Sequence, residues 1–382
     1  MSKSGSSRWV VLAGPMPSRG YQPLLYVETW GWLSRYLPRL PALLLNGPKF
    51  QAPFSELLRE ARVEDPFLRN WIDYLCFVLQ ALAADEHPSA PVAYMVSDMY
   101  TSGAVLDYPK GGMGALVDAL VRGLEKHGGR IRYGSHVDSV MVDGRAKGVR
   151  LKNGQEIRAR EAVVSNASVW DTARLLPEST WSAPMPKECG SFMHLHLGLR
   201  AEGLPTDMPL HYSVIRDWKE PIDATGNVVI ISVPSVVNPD LAPPGRHCLH
   251  AYLAATEPWE LWQSLDRRSP EYAELKRRRA EPLFEAVERA VPGARERIDV
   301  ELIGSPLTHA RFNRRHAGTY GPLMPSDAGM LPGPSTPVEG LFCCGDSTFP
   351  GIGVPAASGF SAANALLSVE KHLEALDAMR IP

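Results

Sequence analysis

Net charge is what this sequence has least of: 40 Lys and Arg stand against 42 Asp and Glu, a formal balance of -2 over 382 residues. Without a global positive field, nucleic-acid binding loses its main driving force. A neutral or apolar small molecule is the expected partner. Cysteine is also scarce, and the five present (Cys76, Cys189, Cys248, Cys343, Cys344) form no C-x-x-C. That pattern implies neither a disulfide framework nor a zinc knuckle, and suits a reducing compartment. Long apolar runs are missing: the best candidate, residues 40–45, is hemmed by Pro38, Pro41 and Pro48, far from the roughly 18 residues of a membrane span. The Ser/Lys-rich start at residues 1–7 has no apolar stretch behind it, so no targeting segment is visible. No G-x-S-x-G elbow surrounds Ser165 or Ser347, which leaves hydrolase chemistry without support.

What is present is ordinary globular material, 45% hydrophobic and 21% charged, enough for one or two domains with a sizeable core. With 32 Gly and 34 Pro, many turns and a loop-rich α/β protein are expected. Residues 1–107 read as mainly helical. Asp65 as N-cap and Pro66 at the first helical position open a stretch in which Phe67, Leu68, Trp71, Ile72, Leu75, Leu79 and Leu82 recur at helical spacing. Upstream, Tyr26, Trp30, Trp32 and Tyr36 crowd together, as packing or as the lining of a greasy pocket.

Residues 108–180 carry a helix with Leu116, Leu120 and Leu124, closed by Gly128-Gly129. A meander of short strands follows, beginning at 130–133 and 137–142 and turning at Asp143-Gly144 and Asn153-Gly154, dipeptides that tolerate positive φ. Val163-Val164 reads as a buried strand, and Ser168 caps a following helix. Residues 181–335 hold alternating segments at 192–199, 228–233 and 248–253, which predict a larger antiparallel sheet, and a charged helix at about 270–290. Its Lys276-Arg277-Arg278-Arg279 run is interleaved with glutamates and reads as a solvated face. Residues 336–382 give a strand ending at Cys343-Cys344, a Gly/Pro loop and a helix from about Pro355.

The chemistry concentrates in that last segment. Gly345 lets the chain leave the strand close to a ligand, and Asp346 offers a carboxylate to hydroxyls. Gly351 and Gly353 bring backbone N–H groups to a helix N-terminus, whose dipole favours an electron-rich ligand atom such as those of a reduced flavin ring. Gly351-x-Gly353-x-x-Ala356 also matches a dinucleotide fingerprint formally, but Pro355 sits inside it and too few residues follow for a βαβ unit. Other constellations are weaker. His194-x-His196 lies on one strand face, with His247 and His250 able to approach, yet no carboxylate or ligand spacing accompanies them, and no metal is expected. Cys343 and Cys344 read as two thiols on opposite strand faces.

Tyr108-Pro109-Lys110-Gly111-Gly112, the meander with Val137, the run Val163-Val164-Ser165-Asn166-Ala167 and the terminal Cys344-Gly345-Asp346-Ser347-Thr348-Phe349-Pro350-Gly351-Ile352-Gly353-Val354-Pro355 resemble the carotenoid isomerase and phytoene desaturase family of FAD-dependent oxidoreductases. The closest likeness is to the carotenoid-isomerase-like proteins of plastids and cyanobacteria, over roughly residues 50–382. The resemblance implies an α/β fold: an incomplete FAD/NAD(P)-binding Rossmann-like domain, from 108–180 and 336–382, interleaved with an antiparallel-sheet and helical substrate domain, from 1–107 and 181–335. It implies FAD as cofactor, with backbone groups of Val137 at the adenine, Gly345 and Asp346 at the ribityl-pyrophosphate part, and the Gly353 and Val354 amides at the flavin. It also implies a lipophilic polyene substrate, cis–trans isomerisation or desaturation, possible peripheral membrane contact, and a plastid or cyanobacterial setting.

Two departures accompany the likeness. Nothing in residues 1–107 supplies the strand-Gly-x-Gly-x-x-Gly-helix unit with its acidic ribose ligand, so a truncated form is expected. Pro355-Ala356 also runs straight into Ala357-Ser358-Gly359, two residues short of the family spacing. The alternatives are an amine-oxidase-type flavin dehydrogenase with another lipophilic substrate, and a catalytically silent remnant that no longer holds FAD.

Overall fold

The computed structural model describes residues 40–103, 108–329, 331–349, 355–367 and 371. The aromatic cluster at residues 26–36 lies outside them. The chain divides into two compact units: among the described residues, one takes 40–48, 136–185 and those from 329 onward, the other 49–135 and 186–328. Beside the segments read from the sequence, the chief difference is that the helix Met113–Lys126 groups with the second unit, not with the meander that follows it.

After α1 (Leu40–Gln51), the helices α2 (Phe54–Glu60), α3 (Pro66–Gln80) and α4 (Ser89–Met99) pack around Phe54, Leu58, Cys76, Ala84 and Val92. The start of α3 is as its sequence dictates: the Leu68 N–H donates to Asp65 Oδ1 at 2.9 Å, and Pro66 needs no donor there. Its inward stripe differs from the expected one. Phe67, Leu68 and Trp71 are exposed, because α3 turns Tyr74 and Phe77 toward a second cluster with Ile222 and Val228. α5 (Met113–Lys126) follows the positive-φ pair Gly111 and Gly112, and its Met113, Leu116, Val117, Leu120 and Leu124 are all exposed.

In the first unit, β1 (Val137–Asp143), β2 (Arg145–Leu151) and β3 (Glu156–Arg158) form an antiparallel meander. It turns at the two expected sites, with Gly144 and Gly154 at positive φ. The strand expected at 130–133 does not form; Ile131 and Tyr133 are exposed there, so their alternation has no buried face to serve. β4 (Val163–Ser165) leads into α6 (Val169–Arg174), capped by Ser168 through the Asp171 N–H. β4 pairs in parallel with β10 (Leu341–Cys343), Leu341 opposite Val163 and Cys343 opposite Ser165. Only one face of β4 is covered, so Val164, expected to be buried, is exposed, while Val163 packs on Val140, Ala146, Leu176, Val338 and Leu341. The chain then enters α9 (Pro355–Asn364).

The second unit is built on β5 (Ser191–Arg200), β6 (His211–Ile215), β7 (Val228–Ser232), β8 (Arg246–Glu257) and β9 (Ile298–Gly304). They form one antiparallel sheet in the order β6-β7-β8-β5-β9. Met193, Leu195, Leu197 and Leu199 of β5, with Leu249, Ala251 and Leu253 of β8, face α7 (Pro270–Ala290) and its Ala280, Leu283, Phe284 and Val287. This is the largest core among the described residues; α8 (Pro306–Asn313) follows β9. Near one end the β5–β8 pairing jumps from Met193↔Leu253 to Ser191↔Glu257. Ala255 takes a left-handed φ of 55 there, and a Cβ on Gly190 would stand 2.5 Å from the Ala255 carbonyl oxygen, so only glycine fits. Beyond this bulge Glu257 is fully buried. It accepts from Arg279 Nε at 2.9 and 3.1 Å, from Arg279 Nη2 at 2.7 Å and from the Trp262 indole N–H at 2.9 Å. Thus Arg277 and Arg278 of the basic run are exposed as expected, but Arg279 is drawn inward.

Candidate functional site

In the first unit, Gly345 and Asp346 follow directly on β10, beside the carboxyl end of its parallel neighbour β4. Such carboxyl ends are where open parallel sheets bind ligands. The Cys344 N–H continues the pairing by donating to the Ser165 carbonyl at 2.9 Å. Gly345 then turns at φ +101, and a Cβ there would meet Asn166 Oδ1 at 2.7 Å, so the sharp exit from the strand depends on glycine. Its N–H donates to Ser358 Oγ of α9 at 2.6 Å. Asp346, half-buried, accepts from the Ser347 hydroxyl at 3.1 Å; Ser347 and Thr348 are themselves buried. The loop is thereby pinned between the β4–α6 turn and α9. Val137 lies in the same unit as the first residue of β1, paired with Leu151. Gly353 and Val354 lie outside the described residues.

The turn holds a carboxylate acceptor rigidly, with a backbone that no side chain could replace at Gly345, an arrangement suited to a hydroxyl-bearing ligand. The described residues contain no glycine-rich phosphate cradle between a strand and a helix; Gly111 and Gly112 precede α5 without a strand before them. The adjacent thiols are not nucleophiles. Burial pushes Cys343 up to about 11 and raises Cys344 as well, so both stay protonated near neutrality.

The second unit presents a different chemistry on the sheet face turned away from α7. β5 contributes Phe192, His194 and His196, and β8 contributes His250 and Tyr252, with His196 directly opposite His250. The imidazoles stack: His196 and His250 have ring centroids 4.3 Å apart and planes within 4°, and His194 Nδ1 lies 3.0 Å from His250 Nε2. His309 of α8 packs 5.6 Å from His194 and edge-on to Phe192. Its Nδ1 lies 2.6 Å from the Gly318 carbonyl, which can only accept, so that nitrogen carries the proton. Burial, reinforced by His250, His309 and His196, pushes His194 down to about 3. Burial and His196 push His250 to about 4, and burial lowers His196 and His309. All four rings are neutral at physiological pH. A cavity of about 360 Å³ opens over His196 and His250, walled by Cys248, Pro234, Val300 and Leu302.

The sequence had placed His194, His196 and His250 near one another, and the register unites them. His247 is not part of the group: three residues before His250, it falls on the other face of β8 and bonds to Ser235 Oγ at 3.0 Å. His309, Phe192 and Tyr252 escaped sequence reasoning. Alternation marks Phe192 and Tyr252 as sharing the histidines' faces, but nothing in spacing brings His309 back from a helix beyond β9.

Residues 40–367 match the family model described as flavin containing amine oxidoreductase. The chain is 33% identical over 333 residues to prolycopene isomerase 1, chloroplastic, of an Oncidium hybrid cultivar, covering 83% of this chain and 56% of that protein. It is 34% identical over 336 residues to prolycopene isomerase, chloroplastic, of Arabidopsis thaliana, covering 82% and 55%. A neurosporene-forming phytoene desaturase of Cereibacter sphaeroides is 30% identical over 283 residues, covering 66% and 52%. The chain thus spans little more than half the length of these relatives. Among solved structures, an oxidoreductase from Methanosarcina mazei has the same fold at TM-score 0.53 and 22% identity, over 85% of this chain and 71% of that one. The mixed helix-and-sheet architecture, the Gly345-Asp346 turn and these similarities converge: the chain belongs to the flavin containing amine oxidoreductase family.

Proposed function

We propose that this chain carries the flavin-tail site and the substrate unit of an FAD-dependent enzyme acting on a carotenoid-like polyene, by cis–trans isomerisation rather than desaturation. The observation that carries this reading is the 33–34% identity to prolycopene isomerases over 82–83% of the chain. The desaturase likeness is weaker, at 30% identity over 66% of the chain in one relative and 26% over 81% in another. When bound, the cofactor supplies reversible electron transfer with a conjugated system, so no side-chain nucleophile is needed. Asp346 would accept hydrogen bonds from ribityl hydroxyls, and Gly345 turns the backbone tightly enough to bring that carboxylate to the strand end. Backbone groups of Val137 would meet the adenine; Gly353 and Val354, outside the described residues, are assigned to the ring by the resemblance alone. The lipophilic substrate enters from a membrane that the protein touches peripherally, in a plastid or cyanobacterial setting. Among the described residues no helix is long and apolar enough to cross a membrane.

The test is the visible spectrum of the purified protein after incubation with FAD and gel filtration. Flavin bands at about one cofactor per chain are expected, together with conversion of a poly-cis carotene to its trans isomer when the flavin is chemically reduced. Asp346→Ala should weaken flavin retention roughly ten- to a hundredfold, the worth of a hydrogen bond to a charged acceptor. Unchanged retention removes the role given to Asp346. A colourless protein at saturating FAD rejects the cofactor reading in favour of a silent remnant, and a product two hydrogens poorer when the flavin is supplied oxidised identifies a desaturase.

A further inference from the structure

We propose that His194, His196 and His250 form a binding site for one late first-row divalent transition ion, zinc or copper in character, on the open face of the β5–β8 pair. All three ligands belong to the second unit, whereas Gly345 and Asp346 belong to the first.

Three observations carry it. The first is proximity: one ring nitrogen from each histidine lies within 4.8 Å of the other two. The closest pair, His194 Nδ1 and His250 Nε2, is 3.0 Å apart, near the roughly 3.3 Å that separates two imidazole ligands on a tetrahedral zinc with bonds of about 2.0–2.1 Å. The pairing of His196 opposite His250 fixes two of the three Cα positions, so only the rings need to move.

The second observation is the ring arrangement. In the near-parallel stack the lone pairs do not yet converge, and an ion draws them together by turning the imidazoles about Cβ–Cγ, a broad and soft torsion. The cavity of about 360 Å³ above His196 and His250 leaves space for that rotation and for a solvent ligand. His196 is exposed, giving the ion an entry path.

The third is the chemistry of the donors. All three are imidazoles, common ligands of such ions, and a ring presents either nitrogen by shifting its tautomer. Three nitrogen donors without a carboxylate suit zinc, copper or nickel and disfavour magnesium and calcium. His309, fixed by the Gly318 carbonyl and packed on His194 and Phe192, supports the ring of His194 from behind.

Zinc titration of the full chain, followed by calorimetry and by competition with a chromophoric chelator, tests the proposal. One ion per chain is expected, with cobalt as a spectroscopic substitute showing nitrogen-dominated coordination. His196→Ala, at an exposed position, should lower the affinity on the order of a hundredfold while leaving the urea unfolding midpoint of the metal-free protein unchanged. His250→Ala should do the same to binding, and His211→Ala, on the edge strand β6, should change nothing. Absence of saturable binding overturns the proposal. So does binding that survives His196→Ala and His250→Ala together, or cobalt spectra dominated by thiolate. Should His250→Ala fail to fold, His196→Ala alone decides.

Discussion

The sheet unit is expected to lose stability as pH falls below about 6.5, by up to about 1.4 kcal/mol per pH unit for each histidine held neutral in the fold. His194 and His250 titrate at about 3 and about 4 in the folded protein against an ordinary 6.5. Between those values the unfolded chain carries protons that the folded chain refuses. Stability is therefore complete above 6.5 and drains on acidification toward 4. The two rings touch, so the first proton taken up makes the second harder to add and spreads the loss over a wider window. Asp73 acts in the opposite sense, because burial raises its pKa above 3.8, and the stability it contributes at low pH is lost as pH rises. Urea midpoints measured from pH 7.5 to 5 give the slope. His194→Gln, which keeps a hydrogen-bonding group beside His250, should flatten it; an unchanged slope places the acid sensitivity elsewhere.

Replacing Arg279 by alanine should cost about 3–5 kcal/mol of unfolding free energy. The loss follows less from the attraction removed than from what is left: Glu257 is fully buried, and without the guanidinium only the Trp262 indole N–H, among the described residues, donates to its carboxylate. A double variant separates these two causes. Glu257→Gln with Arg279→Met removes the charge, retains an acceptor for Trp262 and fills the space with an apolar chain, so most of the stability should return. Equal loss in the single and double variants would mean that the attraction removed, not the stranded charge, carries the effect. Urea unfolding monitored by tryptophan fluorescence measures both.

Local chemistry is what the sequence shows best. Asp65 before Pro66, Ser168 before α6, Gly144 and Gly154 in their turns, and the alternation of β5 all concern neighbours within a few residues, and each forms as read. Partnership between distant segments is harder. The inward stripe of α3 depends on Ile222 and Val228, far along the chain, and Arg279 leaves its solvated face only because a bulge in β8 buries Glu257. The same division holds at the candidate sites. Gly345 and Asp346 are legible because one short motif contains them, and the local order strand-turn-helix gives them meaning. The histidine face arises from register, and register is a property of pairs of strands. His194 and His196 advertise a shared face by their spacing, yet whether His247 or His250 joins them is decided by one residue of parity.

The parallel pairing of β4 with β10 has a further consequence, for the order of events during synthesis. Val163 finds Leu341 only after the intervening sheet and helices have left the ribosome. Until then one edge of β4 is open, and the core built on Val140 and Val338 cannot close. The antiparallel sheet, all of whose strands lie between β4 and β10 in the chain, can condense first. A ribosome paused shortly before residue 341 would therefore carry a folded antiparallel sheet beside an unfinished parallel one, and that interval is when a holdase chaperone has most to protect.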